Sequence, residues 1–269
     1  MTIKPTKILP LLAAALLVTA CEETIRDRYT PVESTAAQRT VLVEEYTGQT
    51  CINCPNGHKV LEGIETLYNT PENLEQGVGV IVVGIHIPNW GVPVESGGFI
   101  TPEAASLTPD GITPPQAQVN RRSGLLNRDQ WQKTIENEIS SVPTLTFPTR
   151  ILAEEKNGTI SVSGTIHALN NIPEATLHIW IVEDNITAPQ FQPDGGIDTA
   201  YKHNNVYRAS AFGVNGQSVS FTRNSAQAFS ATVPVHPNWD IANLRAVVFV
   251  ETPADGVINA AHNHVTQPE

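Results

Sequence analysis

Ten consecutive residues, Gly77-Val78-Gly79-Val80-Ile81-Val82-Val83-Gly84-Ile85-His86, are apolar up to the closing histidine. Such a run suits a central strand covered on both faces, as in a parallel sheet. Upstream, Thr40-Val41-Leu42-Val43-Glu44-Glu45-Tyr46 is a β-branched run with strand character, followed by the turn Thr47-Gly48-Gln49-Thr50. Val60, Leu61, Ile64, Leu67 and Tyr68 fall at helical spacing, so a helix is predicted from Pro55 to about Tyr68. Strand, helix and strand in this order, with a short return, predict a right-handed βαβ unit.

The rest of this half is read as a Pro/Gly-rich insertion over 88–112, with a short helix near Pro102–Leu107. A strand is expected over Gln116–Arg121 and an amphipathic helix over Arg128–Ile139, where Trp131, Ile135 and Ile139 recur every four residues. Beyond Ser141 the character changes. Strand-like runs recur at Leu145–Leu152, Thr159–Ala168, Ala175–Val182, Val206–Phe212, Val219–Thr222, Phe229–Val235, Leu244–Val250 and Val257–His264, separated by turn signals such as Asn157-Gly158 and Asn215-Gly216. Such runs without intervening helices predict an antiparallel β-sandwich. A length of 269 residues accords with two domains. The expected organisation is an α/β domain over 39–141 followed by an all-β sandwich domain over 142–269.

Lys4 and Lys7 followed by the apolar run Ile8–Ala20 read as a secretory signal peptide over 1–20, since thirteen helical residues rise only about 20 Å. Leu17-Val18-Thr19-Ala20-Cys21 resembles the bacterial lipobox. That resemblance implies lipidation of Cys21, which becomes the mature N-terminus and joins the protein to a membrane. Residues 21–38 then form a polar tether. A net charge of −11 argues against a nucleic-acid partner gripped through phosphates.

Cys51-Ile52-Asn53-Cys54 stands where the first strand turns into the first helix. A helix N-terminus stabilises a thiolate at Cys51, and Cys54, three residues on, can resolve a mixed disulfide. Three chemistries are open to the pair: thiol–disulfide exchange, a static disulfide, or part of a metal site with His58 and His86. A c-type haem is excluded because Pro55 follows Cys54. No cofactor is expected. His203 and Arg208 are candidates for a binding surface on the sandwich, and His262 and His264 are expected to be solvent-exposed.

The strand–CxxC–helix arrangement resembles the thioredoxin superfamily. By that resemblance Cys51 is the nucleophile, Cys54 the resolving thiol and Pro115 a cis-proline facing them, while Glu45 is the buried acid that manages the proton of Cys54. The chain departs from that pattern at Thr50, where no aromatic precedes Cys51, and in its long insertion before Pro115. A longer resemblance rests on Val43-Glu44-Glu45-Tyr46-Thr47-Gly48-Gln49-Thr50-Cys51-Ile52-Asn53-Cys54-Pro55, Gln118-Val119-Asn120-Arg121, Tyr201-Lys202-His203-Asn204-Asn205-Val206-Tyr207-Arg208 and Val247-Val248-Phe249-Val250. These resemble a Bacteroidetes outer-membrane lipoprotein family named after a twenty-eight-kilodalton outer membrane protein. It implies a lipid-anchored protein of the outer membrane, facing the periplasm or the surface. Its architecture is a thioredoxin-like domain and then a β-sandwich, with an envelope or surface protein as partner. Exchange chemistry, or binding of a protein or glycan by the sandwich, both fit that setting.

Overall fold

The structure, a computed structural model, describes residues 39–147 and 150–267. The predicted signal peptide, Cys21 and the tether lie outside these residues. Strand β1 (Thr40–Thr47) is buried at all eight positions and leads into helix α1 (Cys54–Tyr68). A short helix α2 (Pro71–Glu75) follows and then β2 (Gly79–His86), also buried throughout. β2 runs parallel to β1, in register from Thr40 opposite Gly79 to Thr47 opposite His86. Helix α3 (Pro102–Ser106), strands β3 (Gln116–Val119) and β4 (Leu126–Asn127) and helix α4 (Trp131–Ile139) complete this half, β3 pairing antiparallel with β1.

The second half carries β5 (Leu145–Thr146), β6 (Leu152–Lys156), β7 (Thr159–Ala168) and β8 (Ile172–Glu183), then four two-residue strands. These are β9 (Ile186–Thr187), β10 (Gln190–Phe191), β11 (Ile197–Asp198) and β12 (Lys202–His203). β13 (Val206–Ser210), β14 (Gln217–Phe221), β15 (Ala226–Pro234), β16 (Leu244–Thr252) and β17 (Gly256–His264) follow.

One mixed sheet of nine strands runs in the order β17-β16-β8-β13-β2-β1-β3-β4, with β14 added on β8. A four-stranded antiparallel sheet, β15-β7-β5 with β6 on β7, lies apart from it in pairing. Three cores hold these layers. Leu61 and Ile64 of α1 and Trp131 and Ile135 of α4 cover Val41, Val43, Val80 and Val82. The opposite side chains of β1 and β2, Leu42, Tyr46, Ile81, Val83 and Ile85, pack with Trp180, Val182, Val247 and Phe249 from the far end of the same sheet. Ile179, Ile181, Ala246 and Val248, on the other faces of β8 and β16, pack against Ile160, Val162 and Ile166 of the small sheet. The near-uniform hydrophobicity of β2 thus has the cause read from it: both faces are buried.

Several expectations change on contact with the structure. The run Leu145–Leu152 is not one strand. It stops after Thr146, and pairing resumes over Leu152–Lys156, where Ala153 and Glu155 face inward between exposed residues. That alternation uses short and charged side chains, which an apolar criterion passes over. The segment 184–205, which carries no strand signal, forms two small hairpins, β9 with β12 and β10 with β11. The sheet of the second half is not purely antiparallel, because β13 meets β2 in parallel at Val206 opposite Gly84. There Gly84 N donates to Asn205 O at 2.6 Å. His262 is half-buried rather than exposed, since β17 is fully paired with β16; His264 is exposed.

Candidate functional site

Gly48 lets the chain turn between β1 and the cysteines, because a Cβ there would sit 2.0 Å from the carbonyl oxygen of Trp90. That same oxygen accepts from Thr50 N at 2.9 Å, so the 88–100 segment forms one wall of the loop. Cys51 N donates to Gly48 O, and Cys54 N to Cys51 O, winding the loop into α1. Pro55, pre-set in φ and without an amide to leave unpaired, occupies the first turn. Cys51 and Cys54 are joined in a disulfide, their Cα atoms 5.4 Å apart, at the positive end of the α1 dipole.

The remaining predicted residues converge on Gly57, one turn beyond Cys54. A Cβ at Gly57 would lie 3.0 Å from Glu45 Oε1, 3.0 Å from Pro115 Cβ and 3.2 Å from the Trp131 ring. β1 carries Glu45 to this point, and the Pro114–Pro115 peptide, which is cis, delivers Pro115 just before β3. Glu45 is 3% exposed and its Oε1 has no hydrogen-bond partner. Burial first, and the neighbouring Glu65 second, push its carboxyl up to about 8, so it holds a proton at neutral pH.

His58 lies beside this group, its Nε2 3.7 Å from Glu45 Oε1. It is tied on both sides: Nε2 pairs with Thr47 Oγ1 at 2.8 Å and Nδ1 with the Tyr201 hydroxyl at 2.7 Å. Burial, and then the nearby His203, bring its pKa down to about 3. His86 closes β2 with its ring edge-on to Phe99 at 4.8 Å and to His203 at 5.8 Å, and burial holds it well below the usual histidine range. The half-buried His58 and the buried His86 therefore belong to one polar–aromatic cluster with Tyr201, His203 and Phe99. Among the described residues no group of three or more His, Cys, Asp or Glu side chains is placed to hold a metal ion. His203 and Arg208 are buried, Arg208 Nε donating to Glu183 Oε2 at 2.7 Å, and so they line no open sandwich surface.

The second half supplies residues that sequence reasoning passed over. Gln190, fully buried, donates from Nε2 to Cys51 O at 3.0 Å and Gly48 O at 3.3 Å. Its neighbour Phe191 donates its amide to Gln49 O at 2.9 Å. Both cysteines are buried, Cys51 at 1% and Cys54 at 0% exposure, while Ile52 between them remains 45% exposed. Tyr201 and His203 stand in a run quoted above for its family resemblance; Gln190 had no signal of any kind. The arrangement can bury a disulfide, keep a protonated acid one helical turn from it, and tie the cysteine loop to the Gln190 segment.

Residues 110–268 match the family described as outer membrane protein Omp28. No curated protein sequence matches significantly. Among solved structures, HBP35 of Porphyromonas gingivalis superposes with a TM-score of 0.68 at 15% identity, covering 86% of this chain and 77% of its own, so the two share a fold. A domain of the outer membrane lipoprotein Omp28 from Porphyromonas gingivalis matches at 17% identity and a TM-score of 0.34, over 48% of this chain and 93% of its own. Protein AGR_C_4864 from Agrobacterium tumefaciens matches at 14% identity and a TM-score of 0.47, over 82% and 92%. No helix among the described residues is long and apolar enough to cross a membrane.

Proposed function

The chain belongs to the Omp28 outer membrane protein family, and we propose that within the outer membrane it is a lipid-anchored thiol–disulfide exchange protein. In this reading Cys21 carries the anchor, residues 39–141 are a thioredoxin-like unit, and 142–269 is a sandwich that completes the site. Cys51 is the attacking thiolate and Cys54 the resolving thiol. Glu45 exchanges the proton of Cys54, and Pro115 flanks the pair. The observation that carries the reading is the convergence of Glu45 and Pro115 on Gly57, one helical turn beyond the Cys51–Cys54 disulfide at the start of α1. A bare pair of cysteines stabilising a turn needs no buried acid nearby whose Oε1 lacks a hydrogen bond.

The test is a Cys54→Ser variant produced in the native envelope and separated without reductant. Mixed disulfides through Cys51 are expected, and they should vanish when Cys51 is also replaced. A potential above about −250 mV accompanies exchange chemistry. A static bridge is the second reading, favoured by the burial of both cysteines. It requires a potential below about −300 mV and an empty trap.

A further inference from the structure

The hairpin docked on the backbone of the cysteine loop is not part of the strand–helix unit that carries the cysteines. β10 and β11 pair only with each other among the described residues, Gln190 opposite Asp198 and Phe191 opposite Ile197. Three hydrogen bonds dock this small ribbon on the cysteine loop, two from the Gln190 carboxamide and one from the Phe191 amide. The ribbon turns through Gln192-Pro193-Asp194-Gly195-Gly196, with Gln192 N bonded to Gly196 O at 2.9 Å. Its inner residue, Gln190, is buried without trace of solvent, whereas the adjoining cross-strand pair points outward, Phe191 at 37% and Ile197 at 55% exposure. With Ile52 they make three of the seven large apolar side chains exposed among the described residues, and all three belong to the cysteine loop or to the ribbon docked on it.

We propose that the β10–β11 hairpin is the selectivity element of the exchange site, latched by Gln190 and presenting Phe191 and Ile197 to an apolar segment that flanks the cysteine of a protein partner. The inference rests on the exchange reading above. The chemistry of the occupant follows from what the hairpin holds and what it shows. A small hydrophilic thiol such as glutathione gains nothing from Phe191 and Ile197, and meets a disulfide whose cysteines are buried. A polypeptide thiol with leucine-like neighbours buries those two side chains and Ile52 as it arrives, and that burial offsets the loss of the Gln190 bonds when the latch opens. The partner's thiolate then attacks Cys51 Sγ, and the Cys51–Cys54 bond breaks. The electron pair leaves on Cys54, which takes a proton from Glu45. A second partner thiol attacks the partner sulfur of the mixed disulfide and releases Cys51 as a thiol. Two electrons pass from the partner dithiol to the protein.

The experiment uses the oxidised full-length mature protein and follows loss of the disulfide by alkylation and mass. The probes are glutathione and two cysteine hexapeptides, one with leucine and one with glycine on both sides of the cysteine, at equal thiolate concentration. The leucine peptide is expected to react about tenfold faster than the other two, the factor that burial of one or two side chains supplies. In the Phe191→Ser/Ile197→Ser variant, altered only at exposed positions, the ratio of the leucine-peptide rate to the glycine-peptide rate should collapse to within about twofold. Gln190→Ala should raise the glutathione rate by about tenfold or more by loosening the latch. Equal rates for all three probes on the native protein, or a leucine preference that survives in the double serine variant, overturn the proposal and leave exchange itself standing. If no thiol reduces the folded native protein or Gln190→Ala, while the unfolded chain is reduced normally, exchange fails and the selectivity role fails with it.

Discussion

Glu45 and Arg121 are ionisable residues, one buried and one half-buried, in opposite electrostatic situations. Among the described residues the ionisable partner at Glu45 Oε1 is His58, 3.7 Å away and held neutral by its lowered pKa. The Glu45 carboxyl, held up at about 8 by desolvation, binds its proton more tightly in the folded than in the unfolded chain. The stabilisation this proton gives is complete below the unfolded value near 4.5 and is lost as pH rises through about 8. Glu45→Gln should therefore match the native protein in thermal stability near pH 5 and exceed it at pH 9. The gain is on the order of 3 kcal/mol, read as Tm against pH. An equal Tm difference at both pH values would disprove the assignment. Arg121, in the left-handed region at φ 53°, forks onto Glu44 at 2.8 and 2.9 Å and reaches Glu251 at 2.9 Å. Its guanidinium also lies over the rings of Trp180 and Phe249. Arg121→Met strands the buried Glu44 carboxylate and should cost about 3–5 kcal/mol in denaturant unfolding, far more than an exposed arginine would. Histidine burial works on the acid side. His58, His86 and His203 all have lowered pKa values, so the stability they contribute is present above about 6.5 and declines as the pH falls towards 4.

At the scale of elements, α1 is limited by what packs on its first turns. Gly57 stands where Glu45, Pro115 and Trp131 approach within 3.0–3.2 Å, so Gly57→Ala gains helix propensity but overpacks the site. A net loss of about 1–3 kcal/mol is expected, measured by urea unfolding of the oxidised protein. The β6–β7 hairpin makes a contrasting case. Asn157 and Gly158 both adopt positive φ, 54° and 77°, as the Asn-Gly dipeptide predicts for a two-residue hairpin, and a Cβ at Gly158 would meet nothing. Gly158→Ala should thus cost only the backbone penalty of about 1–2 kcal/mol and leave thiol reactivity at Cys51 unchanged. β1, α1 and β2 were legible because their patterns are local: β-branched runs, helical spacing and an uncharged core strand. The ribbons β9–β12 were not, since strands of two residues have no period to detect. They are held by single side chains such as Gln190 and Asp184 that reach across the fold.

Across the whole molecule, the described residues form one compact unit in which strands from both halves share a sheet. Asn259 Oδ1 accepts from Thr40 N at 3.0 Å, and Val257 N donates to Asn120 O at 2.8 Å, so the last strand closes on the first. Separating residues 39–141 from 142–269 would expose Leu42, Ile81 and Val83 on one side and Trp180, Val182 and Phe249 on the other. Neither piece is expected to fold alone. The intact chain should unfold in one transition, with tryptophan fluorescence and far-ultraviolet circular dichroism superimposing. Two separated transitions, or a folded 39–141 fragment, would show independent domains instead. By itself the sequence determined where the longer helices α1 and α4 and most long strands lie, where the cysteine pair sits and which family the chain belongs to. Each of these is written in neighbouring residues or in a motif. Only the tertiary structure decided that the halves share one sheet, that His86 and His203 turn inward, and that a hairpin from the second half docks on the cysteine loop of the first. Those outcomes depend on residues more than a hundred positions apart competing for the same buried surface, and no local pattern records that competition.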